Sequence, residues 1–399
     1  MTRLLRISLD ILLMSALPIV MWILLGVIIN KDITNVFTIT YPIQFIIILL
    51  ISIFGTGANV NQTKNKKEGI VDSNIILGTL VGLAIIIILF FNIDRYIGFM
   101  NIENVGLYRN FCIYSITLMY LQFIIKLISQ KLYYKNEIKN SNRLTFIFNI
   151  VNLILIIGLA LLLKDDYYSI IITLLIDFIG MIAVFVINVK EFKFSFDIIK
   201  NMKYVSNDIF DSLGMFAIYF IGFRTTLEFG TMFLVAINFE TLIMDTQWDM
   251  SDSIRTAATI DASKNKVEYK KSIKDAYKLV ALLLLSSFIM GSVLYFFYKP
   301  ELWVIAILVG VQWFDLIIIP TIWIKQQYFQ INYSAKKNTF HQGVAKCLRI
   351  FTSFIPTPFC TYIGQLLSMF YQVIIYAFVY KKKFYIENGL LKMYYKSDK

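Results

Sequence analysis

The chain alternates between long apolar runs and short polar segments, and the runs show neither the two-residue alternation of half-buried strands nor the broad polar face of a surface helix. Stretches such as 75–91, 144–163, 170–189 and 279–298 approach or reach the roughly 20 residues a helix needs to cross the hydrocarbon of a bilayer. A β-barrel is excluded, because its strands would alternate apolar and polar positions. The pattern predicts about twelve spanning helices, at 4–29, 33–56, 71–92, 106–131, 143–163, 167–189, 206–226, 229–256, 276–298, 301–324, 340–356 and 359–380. The first is too long for the core of a cleaved leader and lacks a small-residue cleavage site, so it is expected to remain. The fold class expected is an all-α polytopic membrane protein without a separate soluble domain.

Composition agrees with the pattern. A hydrophobic share of 58% against 16% charged cannot be hidden inside one water-soluble core, so lipid must be the solvent for much of the surface. The net charge of +12 resides in connections, where it orients helices and does not imply nucleic acid. Basic segments are Arg3/Arg6, Lys64/Lys66/Lys67, Lys131 to Arg143, Lys190 to Lys203, Lys264 to Lys278, Lys336/Lys337/Lys346 and the tail from Lys381. They alternate with acidic, mixed or neutral connections near Asp32, Asp94/Glu103, Asp165/Asp166, Glu228, Lys299/Glu301 and Pro356/Pro358, which puts both termini in the cytoplasm. A bacterial cytoplasmic membrane and a monomer are expected.

An internal repeat refines this picture. Residues 57–68 and 257–268 share Ala58/Ala258, Lys64/Lys264, Asn65/Asn265, Lys66/Lys266 and Glu68/Glu268, all at an offset of 200, with Asn61 becoming Asp261. Near the same offset, Asp10-Ile11 matches Asp208-Ile209, and Lys126 matches Lys325. Each copy of the signature leaves the second span of its half. Basic loops of similar composition explain the lysines, but not the matching topology. Two pseudo-symmetric six-helix bundles follow, at 1–189 and 206–380, joined by a cytoplasmic connector at 190–205 and followed by a basic tail at 381–399. An even number of spans per copy makes the halves parallel, the build of secondary transporters.

At Tyr41-Pro42 through Gly55-Thr56-Gly57-Ala58 to Lys64–Glu68, with its echo from Glu240 to Asp275, the chain resembles the multidrug and toxic compound extrusion family. That family lies within the superfamily that also holds flippases of polysaccharide and lipid-linked precursors. The resemblance implies twelve helices in two bundles with cytoplasmic termini, and Pro18 is similar to the proline often found in the family's first helix. Val60-Asn61-Gln62 and Ile260-Asp261-Ala262 lack the glycine that follows in the family, which marks a divergent member.

Ionisable groups inside a bilayer cost at least about 2.5–3.5 kcal/mol on insertion scales, so each is a functional candidate. The eighth span carries Glu240, Asp245, Asp249, Asp252 and Arg255; Asp245, Asp249 and Asp252 share one face, with Asn238 above and Trp248 at its edge. Such a stripe is either a cation-attracting wall of a transport cavity, with Trp248 offering cation–π contact, or the part of the helix that already stands in cytoplasmic water. Asp315, five residues before Pro320 in the tenth span, is either an ion site beside loosened backbone or a structural hydrogen-bonding group. The resemblance adds weight to the first, since sodium-coupled members carry an acid on their tenth helix; a partner acid on the seventh is not matched, because Asp208 and Asp211 lie near its cytoplasmic end. Asp177 in the sixth span has the same two readings. Lys126 and Lys325 either snorkel to headgroups or, with Arg109, hold a phosphate.

These features predict an exporter driven by a Na⁺ or H⁺ gradient, carrying an organic cation by alternating access and needing no cofactor beyond the coupling ion. The alternative is a flippase or exporter of a lipid-linked polysaccharide or cell-envelope precursor. An enzyme is not expected: Cys112, Cys347, Cys360 and His341 show no metal-ligand spacing, and neither a nucleophile motif nor a nucleotide-binding loop is present.

Overall fold

A computed structural model describes residues 3–29, 33, 35–99, 105–163, 166–190, 197–226, 245–355, 357 and 359–393. Where they are described, the predicted spans overlap its helices, with ends that differ by up to several residues. In order these are α1 (Arg3–Ile28), α2 (Asn35–Leu50), a π-helical stretch Ile51–Gly57 running directly into α3 (Ala58–Asn65), α4 (Ile70–Phe91), the short α5 (Ile93–Phe99), α6 (Val105–Tyr134), α7 (Ile138–Leu163) and α8 (Asp166–Asn188). There follow α9 (Ile198–Tyr204), α10 (Ser206–Thr226), α11 (Asp245–Ser263), α12 (Tyr269–Tyr298), α13 (Leu302–Asn332), α14 (Ala335–Thr352) and α15 (Cys360–Val373), which continues as a π-helix, Ile374–Val379. Of the eighth predicted span, the part from Asp245 onward is described. Among the described residues, eight helices are long and apolar enough to cross a membrane.

Two helices, α7 and α8, carry polar residues on their buried faces and apolar ones on their exposed faces, the reverse of a surface helix in water. Along α7, Ser141, Thr145, Asn149 and Asn152 are buried, whereas Phe146, Ile147, Val151 and Ile154 are exposed. On α8, Ser169, Thr173 and Asp177 are buried, and Leu175, Ile179, Ile182 and Val186 are exposed. Lipid explains this inversion, because it accepts the aliphatic face and leaves polar side chains to satisfy one another between helices.

The chain divides into two compact units, residues 9–203 and residues 1–8 with 204–399. The division differs from the predicted bundle limits at both lead-in segments, and the repeat shows why. In the first unit Asn201, in the connector helix α9, is wholly buried: its amide nitrogen donates to Asn74 Oδ1 at 2.8 Å and its Oδ1 accepts from Asn61 Nδ2 at 2.9 Å. It sits so close that a Cβ on Gly57 would lie 2.8 Å from its backbone oxygen. In the second unit the equivalent signature receives Arg3, which pairs with Asp261 at 2.7 Å and donates to Ala257 O at 3.3 Å. Each signature loop thus holds the segment that leads into the other copy.

The segment after the last span is structured where a basic tail was expected. Strands β1 (Phe384–Glu387) and β2 (Leu390–Met393) form an antiparallel hairpin. Asn388 and Gly389, at φ 48° and 79°, make its turn, as an Asn-Gly pair between apolar residues favours. Leu391 N donates to Val267 O at 2.9 Å, docking the hairpin on the second signature loop.

Candidate functional site

In the unit of residues 9–203, the buried face of α7 meets one acid from α8. Asn152 Nδ2 donates to Asp177 Oδ2, and Tyr114 Oη, from α6, donates to Asn152 Oδ1 at 3.0 Å. One turn earlier, Gln122 Nε2 donates to Asn149 Oδ1 at 3.1 Å. Asp177 is therefore a buried carboxyl group addressed by a neutral amide, an arrangement that can hold a proton or a small cation.

In the other unit, Asp315 lies wholly buried in the middle of α13. Gln365 of α15 donates its amide to Asp315 Oδ2, and Gln312 Nε2 donates to Gln247 Oε1 of α11 at 3.0 Å. Asp315 Oδ1, Gln312 Oε1 and Gln365 Oε1 are buried and make no hydrogen bond. Three unused oxygen acceptors on three adjacent polar side chains suit a hard cation.

A second polar group in this unit joins α10, α11, α13 and α14. The Arg255 guanidinium lies 3.5 Å from Asp208, 3.3 Å from Asp211 and 3.4 Å from Asp252, and 4.4 Å from the centre of the Trp323 ring. Lys346 Nζ is 2.5 Å from Asp211. Gly214 makes room for that lysine: a Cβ there would lie 2.9 Å from its Cγ and Cδ. Helical spacing alone brings only Asp252 within reach of Arg255. Its other partners lie 47 and 44 residues away on another helix, which no local spacing reveals.

The remaining predicted residues fall in several places. Trp248 stacks at 5.3 Å on Trp323 and packs against the apolar cluster of Val304, Ile305, Leu308, Val311 and Tyr362, so core packing occupies its ring. Asp249 is half-buried beside it. Asp245 opens α11 with its side chain outside the described part, and Asn238 and Glu240 lie outside the described residues. Arg109 is exposed and lies 3.2 Å from Asp94. Lys325 Nζ lies 6.0 Å from the Tyr269 and Phe384 rings, beneath the hairpin. Lys126 is half-buried on α6. Among the described residues no three His, Cys, Asp or Glu side chains converge as a metal centre.

The two units of long apolar helices, each with a buried carboxylate in mid-helix, match solved structures in fold. A transporter of the MOP superfamily from Pyrococcus furiosus, described as having a binding pocket of reverse polarity that suggests a different function, matches with a TM-score of 0.69 at 14% identity over 95% of both chains. A MATE family multidrug resistance transporter of the same superfamily, in an outward-facing conformation, matches at TM-score 0.70 and 14% identity, over 95% of this chain and 94% of its own. MATE in complex with MaD3S gives 0.70 and 14% over 95% of both chains. The chain therefore shares the fold of these MATE structures. No sequence-family model and no curated protein sequence matches it.

Proposed function

We propose that the chain is a secondary active transporter that couples entry of Na⁺ or H⁺ to efflux of an organic cation by alternating access. The observation that carries this reading is Asp315: a wholly buried carboxylate held by one neutral amide, with an unused oxygen beside the unused oxygens of Gln312 and Gln365. A permanently structural carboxylate in so apolar a setting is stabilised by having both oxygens hydrogen-bonded, whereas a coupling site must have ligands free to receive the ion. Asp177 offers a comparable carboxyl group in the first unit, and the MATE fold supports the transport class.

The flippase reading needs basic side chains gathered for a phosphate, and the positions of Arg109 beside Asp94 and Lys325 beneath the hairpin give it no such support. The test is flux of a fluorescent organic cation in proteoliposomes under an imposed Na⁺ gradient, an imposed proton gradient or neither. Flux should respond to one gradient, and Asp315→Asn should reduce the driven component at least tenfold. Equal flux under all three conditions overturns the coupling.

A further inference from the structure

The buried polar face of α7 recurs in the second copy of the repeat. Ser141, Thr145, Asn149 and Asn152 are matched on α14 by Asn338, Gln342, Lys346 and Arg349, each 197 residues later, and all eight are buried. Spacings of four, four and three residues keep each set on one helix face. The first two rungs are uncharged in both copies, whereas the last two change from amides to cations: Asn149 becomes Lys346 and Asn152 becomes Arg349. Lys346 has its counter-charge in Asp211, 2.5 Å away. Arg349 differs. Only 7% of it is exposed, its Nε is buried without a hydrogen bond, and among the described residues no carboxylate lies within ion-pair distance of it.

The fourth rung of the first copy addresses a buried acid, since Asn152 donates to Asp177 Oδ2. In the second copy the mid-helix acid is Asp315, and two observations bring Arg349 to it. Gly364 packs so closely on the Arg349 backbone that a Cβ there would lie 2.9 Å from Arg349 Cα, and the next residue, Gln365, donates to Asp315 Oδ2. Of the charged groups whose fields act on Asp315, Arg349 is the strongest, ahead of Lys346 one turn before it. Asp315 Oδ1 is itself buried and makes no hydrogen bond. A buried cation and a buried carboxylate oxygen, each without a partner, thus lie within one another's field, and the planar fork of an arginine fits a carboxylate.

We propose that Arg349 is the tethered counter-cation of Asp315: its guanidinium pairs with the free Oδ1 when the coupling ion leaves and is displaced when the ion binds. This role rests on Asp315 being the coupling carboxylate. Two cations cannot share one carboxylate oxygen, so pairing and ion binding exclude each other, and by linkage each weakens the other by the same factor. A built-in cation that takes the place of the ion keeps Asp315 neutralised in an apolar interior while the transporter returns without it. Asn152, being neutral, gives Asp177 no such competitor.

The test measures flux of the fluorescent organic cation in proteoliposomes against the concentration of the driving ion, Na⁺ or H⁺. Removing the competitor in Arg349→Gln should lower the half-saturating concentration about tenfold, or about one pH unit for H⁺, and slow the maximal rate, because nothing displaces the ion. Arg349→Lys keeps a cation on the rung and should return the affinity toward wild type. An unchanged or raised half-saturating concentration in Arg349→Gln overturns the counter-cation, since a merely structural arginine would reduce flux without tightening the ion. A second measurement needs no transport: a double-mutant cycle of Arg349→Gln and Asp315→Asn on the thermal unfolding midpoint of the full chain, in detergent and alkaline choline chloride. Asp315→Asn should recover part of the loss caused by Arg349→Gln, because it removes the charge left without its partner; additive losses overturn the pairing. Driven flux that persists unchanged in Asp315→Asn overturns the coupling reading itself. Driven flux lost in Asp315→Asn, with ion affinity unchanged in Arg349→Gln, overturns only the role of Arg349.

Discussion

Lys131 Nζ lies 2.5 Å from Asp72 Oδ1, with only 11% and 9% of the two side chains exposed. The same ammonium donates to Asn188 O at 2.6 Å, and Lys190 N donates to Asp72 Oδ2 at 3.2 Å. One ion pair therefore ties the ends of α4, α6 and α8 where the connector begins. Removing one partner strands a buried charge, which costs about 3–5 kcal/mol, whereas replacing both by apolar residues is far milder. Lys131→Met should accordingly lower the thermal unfolding midpoint in detergent sharply, and adding Asp72→Leu should restore most of it. A double variant as unstable as the single one excludes the stranded charge as the cause.

The two signature loops hold their incoming segments by unequal means, and magnitudes decide which matters more for stability. Arg3 and Asp261 are 32% and 21% exposed, so solvent screens their attraction to about 0.2–1 kcal/mol. Asn201 is wholly buried between Asn61 and Asn74, and its loss takes the partner from Asn61 Nδ2 and from Asn74 Oδ1 at about 1–3 kcal/mol. Asn201→Ala should therefore destabilise the protein more than Arg3→Ala in the same unfolding assay. The reciprocal exchange Arg3→Asp with Asp261→Arg should recover the small Arg3 contribution in a double-mutant cycle.

The helices were legible in the sequence because lipid imposes length and continuous apolarity on each of them, and no tertiary contact has to be known for that. Asp177 and Asp315 stood out for the same reason, as acids in apolar runs. Trp248 was less legible: an aromatic at the edge of an acidic face looks free until Trp323, from a helix far along the chain, is seen stacked on it. The partners of Arg255 were hidden similarly. Asp10 was visible as a repeat mark, yet its meaning depends on Tyr133 and Ser141, which fold against it from distant segments. The hairpin is a different case, since Asn388-Gly389 between Ile386 and Leu390 is a strong local turn signal that the surrounding lysines masked.

Gly364 marks a close approach of α14 and α15. A Cβ at this position would lie 2.1 Å from Thr352 Oγ1 and 2.9 Å from Arg349 Cα. The first clash involves a side chain, but the second is with backbone and has no easy relief. Gly364→Ala should cost about 1–3 kcal/mol as an overpacked contact. Thr352→Ala in the same chain should return only part of that, because the contact with the Arg349 backbone persists. Full recovery of the unfolding midpoint in the double variant argues that the helices can part at that contact.

Arg255 combines two stabilising contacts whose sizes differ enough to be separated. Its guanidinium is 16% exposed and faces Asp208 and Asp211, at 14% and 27%. Its other face lies 4.4 Å from the Trp323 ring centre. Loss of the charge strands Asp208, while Asp211 keeps Lys346 at 2.5 Å, and should cost about 3–5 kcal/mol, whereas loss of a desolvated cation–π contact costs about 2 kcal/mol. Arg255→Lys preserves the charge but not the planar fork that reaches several carboxylates at once, and should fall between these limits. The expected order of unfolding midpoints is therefore wild type, then Trp323→Leu, then Arg255→Lys, then Arg255→Ala. Adding Asp208→Asn to Arg255→Ala should raise its midpoint, since a neutral amide removes the stranded charge and leaves the Lys346–Asp211 pair intact. A midpoint that does not rise, or a Trp323→Leu variant as unstable as Arg255→Ala, would mean that ring packing rather than charge balance holds α10, α11 and α13 together here.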